Sequence, residues 1–169
     1  KQSLDFDAAA RLTDYSIVGK VTTWKVGLVY SPVKEVRFRG SVSHDIRAPS
    51  IGEAFVKNVL LFSNILNPFT GNQEFIQSPT TGNPNLKEES AITTTLGAVY
   101  SSGGFKASVD WYHIALKDTI GVLTPQDVVN RCFAGENGLC GLITFAPDQS
   151  IVSVLGQNLN LGTFDLRGI

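Results

Sequence analysis

The residues whose chemistry is easiest to delimit are two cysteines. Cys132 and Cys140 enclose seven residues of a long segment that contains Gly and Asn. A structural zinc site needs four ligands, and the two histidines, His44 and His113, fall on predicted strands elsewhere. The pair is therefore a poor zinc site, and it leaves either a disulfide or two free thiols.

A second candidate centre is the run at 47–55, R-A-P-S-I-G-E-A-F. The guanidinium of Arg47 can bind a carboxylate or another anion bidentately. Asp45 lies two residues away on the same strand face and is a candidate partner. Ser50 and Glu53 have the spacing of a capping box, which predicts a turn of helix over 51–57. A second short helix, capped at Thr124, is predicted to run through Arg131.

Neither catalysis nor nucleic-acid binding is indicated. There is no phosphate-binding Gly loop and no G-x-S-x-G elbow. Asp110 and Asp118 are eight residues apart on one strand, roughly 26 Å when extended, too far for a catalytic carboxylate pair. The 14 Lys and Arg are scattered and nearly balance the 15 Asp and Glu, so no basic patch for nucleic acid is expected. We predict no enzyme, no cofactor and no metal site.

The elements that must position these residues are strands, because apolar and polar residues alternate with period two. Strands are predicted near 4–11, 21–30, 36–43, 92–100, 105–112 and 151–169. The alternation slips beyond Trp111, where a bulge would restore it, and again near 159–161. Long helices are not predicted, and no stretch approaches the roughly 18 apolar residues of a membrane-spanning helix.

The connections alternate between tight turns at 31–35 and 101–104 and long segments at 47–89 and 121–150. This layout, with strands of about 9 to 11 residues, is typical of an outer-membrane β-barrel. Aromatic residues near strand ends resemble girdle positions: Trp24, Tyr30, Tyr100, Phe105 and Trp111. The polar face carries Lys25, Arg37, Arg39 and Asp110 and suits a wet lumen. A soluble β-sandwich shares most of these features and stays open at this point.

The number of strands predicts that the sequence is one part of a longer barrel. Six strands cannot close a membrane barrel, since bacterial single-chain barrels have at least eight. The sequence also contains no Met, so we expect a processed or excised piece.

Several motifs together resemble the barrel domain of TonB-dependent outer-membrane receptors. The R-A-P-S run at Arg47 is followed at 82–89 by G-N-P-N-L-K-E-E, similar to the family's G-N-P-x-L-K-P-E, with Glu88 where the family usually has Pro. T-T-W-K-V-G-L at 22–28, S-V-D-W-Y-H-I at 108–114 and K-D-T-I at 117–120 look like further strand motifs of the family. The resemblance covers nearly the whole chain.

The resemblance implies an all-β fold, an antiparallel meander of about six strands that is part of a 22-stranded transmembrane β-barrel. Residues 1–169 would be a partial barrel, with the plug domain, TonB box and barrel C-terminus absent. The implied function is a segment of an active-transport receptor in the Gram-negative outer membrane. It would import a scarce nutrient, siderophore-bound iron, cobalamin or an oligosaccharide, with energy from TonB. A passive porin and a soluble β-sandwich binding module remain alternatives.

The implied partners are TonB and the plug domain through the full-length chain, outer-membrane lipid and a small nutrient ligand. Arg37, Arg39, Arg47 and Glu53 are the candidate contacts to ligand or plug. The alternative is that Arg47, Pro49 and Glu53 only fix how the strand leaves the membrane.

The two long segments become extracellular loops in this resemblance. An oxidising cell surface favours a disulfide between Cys132 and Cys140 over two free thiols. The apolar stretch 59–62, together with Phe55, Phe69 and Phe75, would line a substrate vestibule or form a small core within the loop.

Overall fold

The alternating sequence folds mainly into strands, which a computed structural model describes for residues 2–169. In chain order the elements are β1 (Ser3–Tyr15), β2 (Gly19–Val33), β3 (Val36–Arg47), α1 (Ile51–Phe55), β4 (Phe62–Leu66), β5 (Gln73–Gln77), β6 (Thr80–Thr81), β7 (Glu89–Ser102), β8 (Phe105–Lys117), β9 (Ile120–Val122), α2 (Pro125–Phe133), α3 (Asn137–Cys140), β10 (Ile143–Phe145), β11 (Ile151–Val154), β12 (Gly156–Asn160) and β13 (Phe164–Gly168). They form two compact units, described separately below.

The first, here the sheet unit, comprises Lys1–Ala48, Lys87–Thr119 and Leu161–Ile169. It is one six-stranded antiparallel sheet in the order β1-β2-β3-β7-β8-β13. The prediction of an antiparallel meander of about six strands is therefore confirmed. Five of the strands have 12 to 15 residues, more than the roughly 9 to 11 that cross a bilayer when tilted.

The register separates an apolar from a polar face of this sheet. Residues opposite one another on neighbouring strands share a face, so one cross-strand row is mainly apolar: Phe6, Leu28, Gly40, Leu96 and Trp111. The next row is mainly polar: Asp7, Gly27, Ser41, Thr95 and Tyr112. On the apolar face Phe6 is 68% exposed and Leu96 57%. This face therefore presents a broad apolar surface.

Three short turns connect neighbouring strands of the sheet. Lys34 and Glu35 join β2 to β3, and Gly103 and Gly104 join β7 to β8 with φ of +57° and +86°. Positive φ at both central residues is the conformation that glycine adopts most easily in such hairpins. The turn at 16–18 joins β1 to β2 at the opposite end of the strands, where the long segments also leave. Not every connection at that end is therefore long.

Two details of the predicted strands were wrong. β8 pairs with β7 in unbroken register from Phe105 to Lys117, so there is no bulge after Trp111. The alternation changes there because polar side chains take over the apolar face near the strand end, where His113 binds Asp165. The stretch 151–169 is not one strand but three, and only β13 joins the six-stranded sheet.

The second, here the loop unit, comprises Pro49–Leu86 and Ile120–Asn160. It contains a four-stranded sheet, β10-β11-β5-β4, and a three-stranded one, β6-β12-β9. Strands of the two chain segments pair in parallel, β5 with β11 and β6 with β12. Its core is formed by Ile65, Ile76, Val128, Val129, Cys132, Ile143, Ile151 and Val154. The two long segments therefore share one hydrophobic core.

The apolar stretch flagged in the sequence lies outside that core. Phe62 and Phe75 stack on each other, and Leu60 and Leu61 are more than half exposed. The residues that fill the core instead alternate with them along β4 and β5, as Ile65 and Ile76 do. A core made by 59–62 was therefore the wrong alternative.

Side chains fix the ends of the helices in the loop unit. Ser50 Oγ accepts from Glu53 N at 3.2 Å, and Ser50 N donates to Glu53 Oε2 at 2.7 Å, so the predicted capping box is present. α1 ends at Phe55, two residues earlier than predicted. In α2, Thr124 Oγ1 accepts from Asp127 N at 3.1 Å. Among residues 2–169, no helix is both long and apolar enough to span a membrane.

Gln126 joins α2 to the edge of the four-stranded sheet. Its Nε2 donates to Leu66 O at 2.9 Å and its Oε1 accepts from Leu66 N at 2.7 Å. An amide side chain thus satisfies the backbone groups that an edge strand would leave unpaired.

One buried polar residue, Asn67, joins two turns of the loop unit. Its side chain is fully buried, and its Nδ2 donates to Glu74 Oε1 at 2.9 Å and to Gln149 O at 3.0 Å. Its Oδ1 accepts from Phe69 N at 2.9 Å. Glu74 Oε2 in turn accepts from Ile151 N at 2.7 Å. Asn67 therefore fixes the turn at Phe69 against the turn that contains Gln149.

We predict that Asn67→Ala destabilises the loop unit by about 1–3 kcal/mol, because it removes three part-buried hydrogen bonds of the Asn67 side chain. Hydrogen exchange of the full-length protein, followed by mass spectrometry, would report faster exchange in peptides from this unit. Asn64→Ala, at an exposed position on β4, is the matched control and should leave exchange unchanged. Equal effects of the two substitutions on exchange would contradict the role given to Asn67 in joining the two turns.

Candidate functional site

The polar face of the sheet carries an ion pair that spans three strands. Arg39 on β3, Gly97 on β7 and Asp110 on β8 lie in one cross-strand row. Arg39 donates from Nε to Asp110 Oδ1 at 2.8 Å and from Nη2 to Oδ2 at 2.6 Å. Each partner keeps about half of its side-chain surface exposed. The guanidinium is thus held flat against the sheet by a bidentate bond.

This ion pair depends on the glycine between its partners. A Cβ placed on Gly97 would overlap Asp110 Oδ1 and come within 2.9 Å of Arg39 Nε. The neighbouring polar row uses the same device, since a Cβ on Gly27 would overlap the carboxylate of Asp7. Glycines on this face therefore make the room in which long polar side chains lie across the strands.

Arg37 differs from Arg39, although both lie on the polar face. It is exposed and lies opposite Val99, two residues closer to the turn between β2 and β3. Within residues 2–169 it has no carboxylate partner. Of Arg37 and Arg39, Arg37 is therefore the one whose charge is not neutralised by the sheet.

Arg47 lies at the last residue of β3, opposite Glu89 at the first residue of β7. Its Nε and Nη2 donate to Glu89 Oε2 and Oε1, each at 2.7 Å. Asp45, the partner suggested by the sequence, instead accepts from Ser43 Oγ at 2.7 Å. The cross-strand neighbour is the better partner because it faces Arg47 directly in the register. The pair closes the base of the first long segment.

Glu53 belongs to the loop unit, where its side chain caps α1 and its backbone carbonyl has two donors. Asn83 N donates to Glu53 O at 3.0 Å and Asn158 Nδ2 at 3.2 Å. Gly82 N donates to Val56 O at 2.9 Å, and a Cβ on Gly82 would lie 2.6 Å from Ala54 O. The R-A-P-S-x-G-E and G-N-P motifs therefore pack on each other, with Gly82 required for the close approach.

Cys132 and Cys140 form a disulfide that joins α2 to α3, with Cα atoms 5.0 Å apart. Arg131 and Glu136 form an ion pair at 2.8 Å in the same segment. The hydrogen bond from Arg131 lowers the pKa of Glu136 below its usual value. No cluster of His, Cys, Asp or Glu that could hold a metal ion occurs in the described part of the chain.

The loop unit contains an aromatic cluster that no sequence pattern indicates, which we call the phenylalanine trio: Phe69, Phe133 and Phe145. The ring of Phe69 is perpendicular to both others, with centroids at 5.1 Å and 5.5 Å. The trio joins a turn, a helix end and a strand end that are far apart in sequence. Of the three, only Phe69 is among the apolar loop residues singled out from the sequence, because no periodic pattern connects it with Phe133 and Phe145.

A family model described as "TonB dependent receptor-like, beta-barrel" matches residues 1–169. The chain belongs to this family. A comparison with curated proteins finds no match.

Solved structures of siderophore receptors show the same fold. A mutant of the ferric enterobactin receptor PfeA of Pseudomonas aeruginosa, in complex with enterobactin, has a TM-score of 0.72 at 18% identity over 98% of this chain and 21% of its own. The siderophore receptor PirA of Acinetobacter baumannii has a TM-score of 0.68 at 15% identity, over 98% of this chain and 22% of its own. The siderophore receptor PirA of Pseudomonas aeruginosa has a TM-score of 0.67 at 15% identity, over 98% of this chain and 27% of its own.

The chain therefore spans about a fifth to a quarter of the length of these receptors. The prediction of a TonB-dependent receptor barrel from the R-A-P-S and G-N-P motifs is confirmed at the level of family and fold. Membership in this β-barrel family decides against the β-sandwich.

We predict that Asp110→Arg lowers the urea midpoint of the full-length receptor, because it places two guanidinium groups across Gly97. Adding Arg39→Asp restores most of the loss, since the swapped charges can pair again. Refolding in lipid vesicles, followed by tryptophan fluorescence, measures the midpoint. Lys106→Ala is the control, because Lys106 lies on the same face of β8 as Asp110 and has no ion pair within residues 2–169. The ion pair has no structural role if the swap gives no recovery.

A pH prediction follows from two carboxylates in the loop unit. The hydrogen bond from Arg131 lowers the pKa of Glu136, and hydrogen bonds from the Ser150 side chain and backbone lower that of Asp148. A lowered pKa means that stabilisation is fully present above the ordinary values, 4.5 and 3.8, and is lost as the pH falls through the lowered ones. We expect the loop unit to lose stability below about pH 4.5 and to change little from about pH 5 to 7.

Hydrogen exchange, corrected for the intrinsic effect of pH on exchange rates, measures this dependence in the full-length protein. Glu136→Gln removes one of the two carboxylates and should weaken the dependence. A loop unit of constant stability down to about pH 3 would contradict the role given to these ion pairs and hydrogen bonds.

Proposed function

We propose that this chain forms part of the wall and two extracellular loops of a TonB-dependent outer-membrane receptor that imports a scarce nutrient. The observation that carries the proposal is the match of the receptor-barrel family to all 169 residues. The complete receptor would close a 22-stranded barrel around a plug domain, and residues 1–169 would be one partial barrel within it.

The two faces of the sheet support a membrane location. On the apolar face Leu4, Phe6, Leu12, Phe105 and Val109 are each more than half exposed. A continuous apolar surface of this kind needs a hydrophobic partner, which the outer-membrane lipid supplies. The polar face, with Arg37, Arg39 and Asp110, then lines the lumen, as is usual in barrels whose strands alternate between lipid and water.

The residues of the polar face have separate roles in this proposal. Arg39 and Asp110 brace the wall, because each already satisfies the other. Arg37 offers an unneutralised guanidinium to a carboxylate of the plug or to an anionic group of a passing ligand.

Arg47 closes the base of the first loop with Glu89, and Glu53 shapes the exit from the strand. The Cys132–Cys140 disulfide keeps the second loop in one conformation at the oxidising cell surface.

Siderophore-bound iron is the nutrient favoured for the complete receptor. The similar solved structures are named a ferric enterobactin receptor and siderophore receptors. Cobalamin and oligosaccharides are the other candidates, since the same architecture carries them. In each case ligand would be captured by the loops and the plug, and TonB would supply the energy that moves the plug.

The proposal predicts that deleting the parent gene abolishes growth on one scarce nutrient. Growth on a panel of ferric siderophores, cobalamin and oligosaccharides, with and without TonB, identifies that nutrient. The gene should restore growth only where TonB is present. Arg37→Ala should reduce uptake severalfold while Arg37→Lys retains more of it, because the lysine keeps the charge. Growth that the gene restores without TonB would indicate a passive pore instead.

A further inference from the structure

The three rings of the phenylalanine trio are apolar, yet each is partly exposed to solvent. Phe133 is 57% exposed, Phe69 41% and Phe145 40%. Because the rings of each contact are perpendicular, one ring contributes only an edge, and ring faces stay uncovered. The other aromatic pair of the loop unit, Phe62 and Phe75, differs in this respect. Its rings are parallel within 9°, so each covers one face of the other.

A carboxylate lies in the turn that follows one ring of the trio. Asp148 is three residues after Phe145, in a turn closed by the hydrogen bond from Ala146 N to Ser150 O at 2.8 Å. Asn67 fixes this turn against the turn at Phe69, through its bonds to Gln149 O and from Phe69 N. Hydrogen bonds from Ser150 lower the pKa of Asp148, which keeps it ionised at neutral pH.

The cationic side chains of the loop unit do not neutralise the charge of Asp148. Arg131, two residues before Phe133, is occupied by Glu136 at 2.8 Å. The loop unit has only two cationic side chains, Lys57 and Arg131, against five carboxylates, which leaves a net charge of −3. The carboxylates are Glu53, Glu74, Asp127, Glu136 and Asp148. A polyanionic ligand would therefore be repelled by this unit.

We propose that the phenylalanine trio and Asp148 form a binding site for a small ligand that carries a cationic group next to a flat aromatic ring. Open aromatic faces attract cations and stack with aromatic rings, and the ionised Asp148 adds attraction for the cation. The site rests on the proposed receptor function only in that the bound compound would be the nutrient imported, such as a siderophore whose aromatic chelating ring lies next to a cationic group. A preference for cations at this site would distinguish this chain from relatives whose loops bind anionic ligands.

Two water-soluble probes of similar shape and opposite charge test the site: benzyltrimethylammonium and benzylsulfonate. Each is titrated against the full-length receptor in nanodiscs of zwitterionic lipid, and saturation-transfer NMR gives its dissociation constant. Empty nanodiscs correct for partitioning into lipid. The cation should bind about tenfold more tightly than the sulfonate, the ratio expected when a cation–aromatic contact is made by only one of them.

Three variants identify the groups responsible. Phe69→Leu keeps the apolar bulk and should fold, but it removes the central aromatic ring and should weaken binding of the cation about tenfold. Asp148→Asn can still accept the hydrogen bonds from Ser150, and it should reduce the preference for the cation severalfold. Phe75→Leu removes a ring outside the trio that is more exposed than Phe69, 71% against 41%, and should leave both constants unchanged.

The site is overturned if the two probes bind equally, if neither binds, or if Phe75→Leu weakens binding as much as Phe69→Leu. Absence of binding would mean that the rest of the complete chain covers the trio. These failures are distinct from failure of the proposed function, because a receptor that still imports a nutrient in a TonB-dependent way can ignore both probes.

Discussion

The antiparallel register of β2, β3, β7 and β8 is the constraint on which the sheet unit depends. Apart from an irregularity between Tyr30 and Val33, residues of neighbouring strands face one another directly, so a single choice of register assigns the side chains to one face or the other. The same register places Gly97 between Arg39 and Asp110 and Glu89 opposite Arg47. A shift by one residue would move the ion pairs to the apolar face and the phenylalanines to the polar one.

The loop unit follows a different principle. Its two segments are separated in the chain by β7 and β8, yet they share one core and two parallel strand pairs. Pairing strands that are far apart in sequence costs loop-closure entropy, which burial of the shared core must offset. Small motifs contribute locally: the capping box of α1, the Gln126 amide at the edge of β4, and the buried Asn67. The result is a folded unit rather than two separate surface loops.

The sequence predicted the strands of the sheet well because their alternation has a single period and a pair of glycines marks the turn at 103–104. It also predicted the starts of α1 and α2, since a cap such as Ser50 or Thr124 is a local signal, but not α3, which has no side-chain cap. It failed where partners come from distant segments. Glu89 was not recognised as the partner of Arg47, and Phe133 and Phe145 were not connected with Phe69. The last predicted strand failed because 151–160 pairs with the first long segment, which no local pattern reveals.

The shared core of the loop unit also bears on how the chain would respond to proteases. A cut between Cys132 and Cys140 leaves both ends joined by the disulfide. A cut in the turn between β4 and β5 leaves two strands that are still hydrogen-bonded to each other, with β5 also paired to β11 from the other segment. Nicked chains would therefore keep their native shape, and the breaks would become visible only after denaturation.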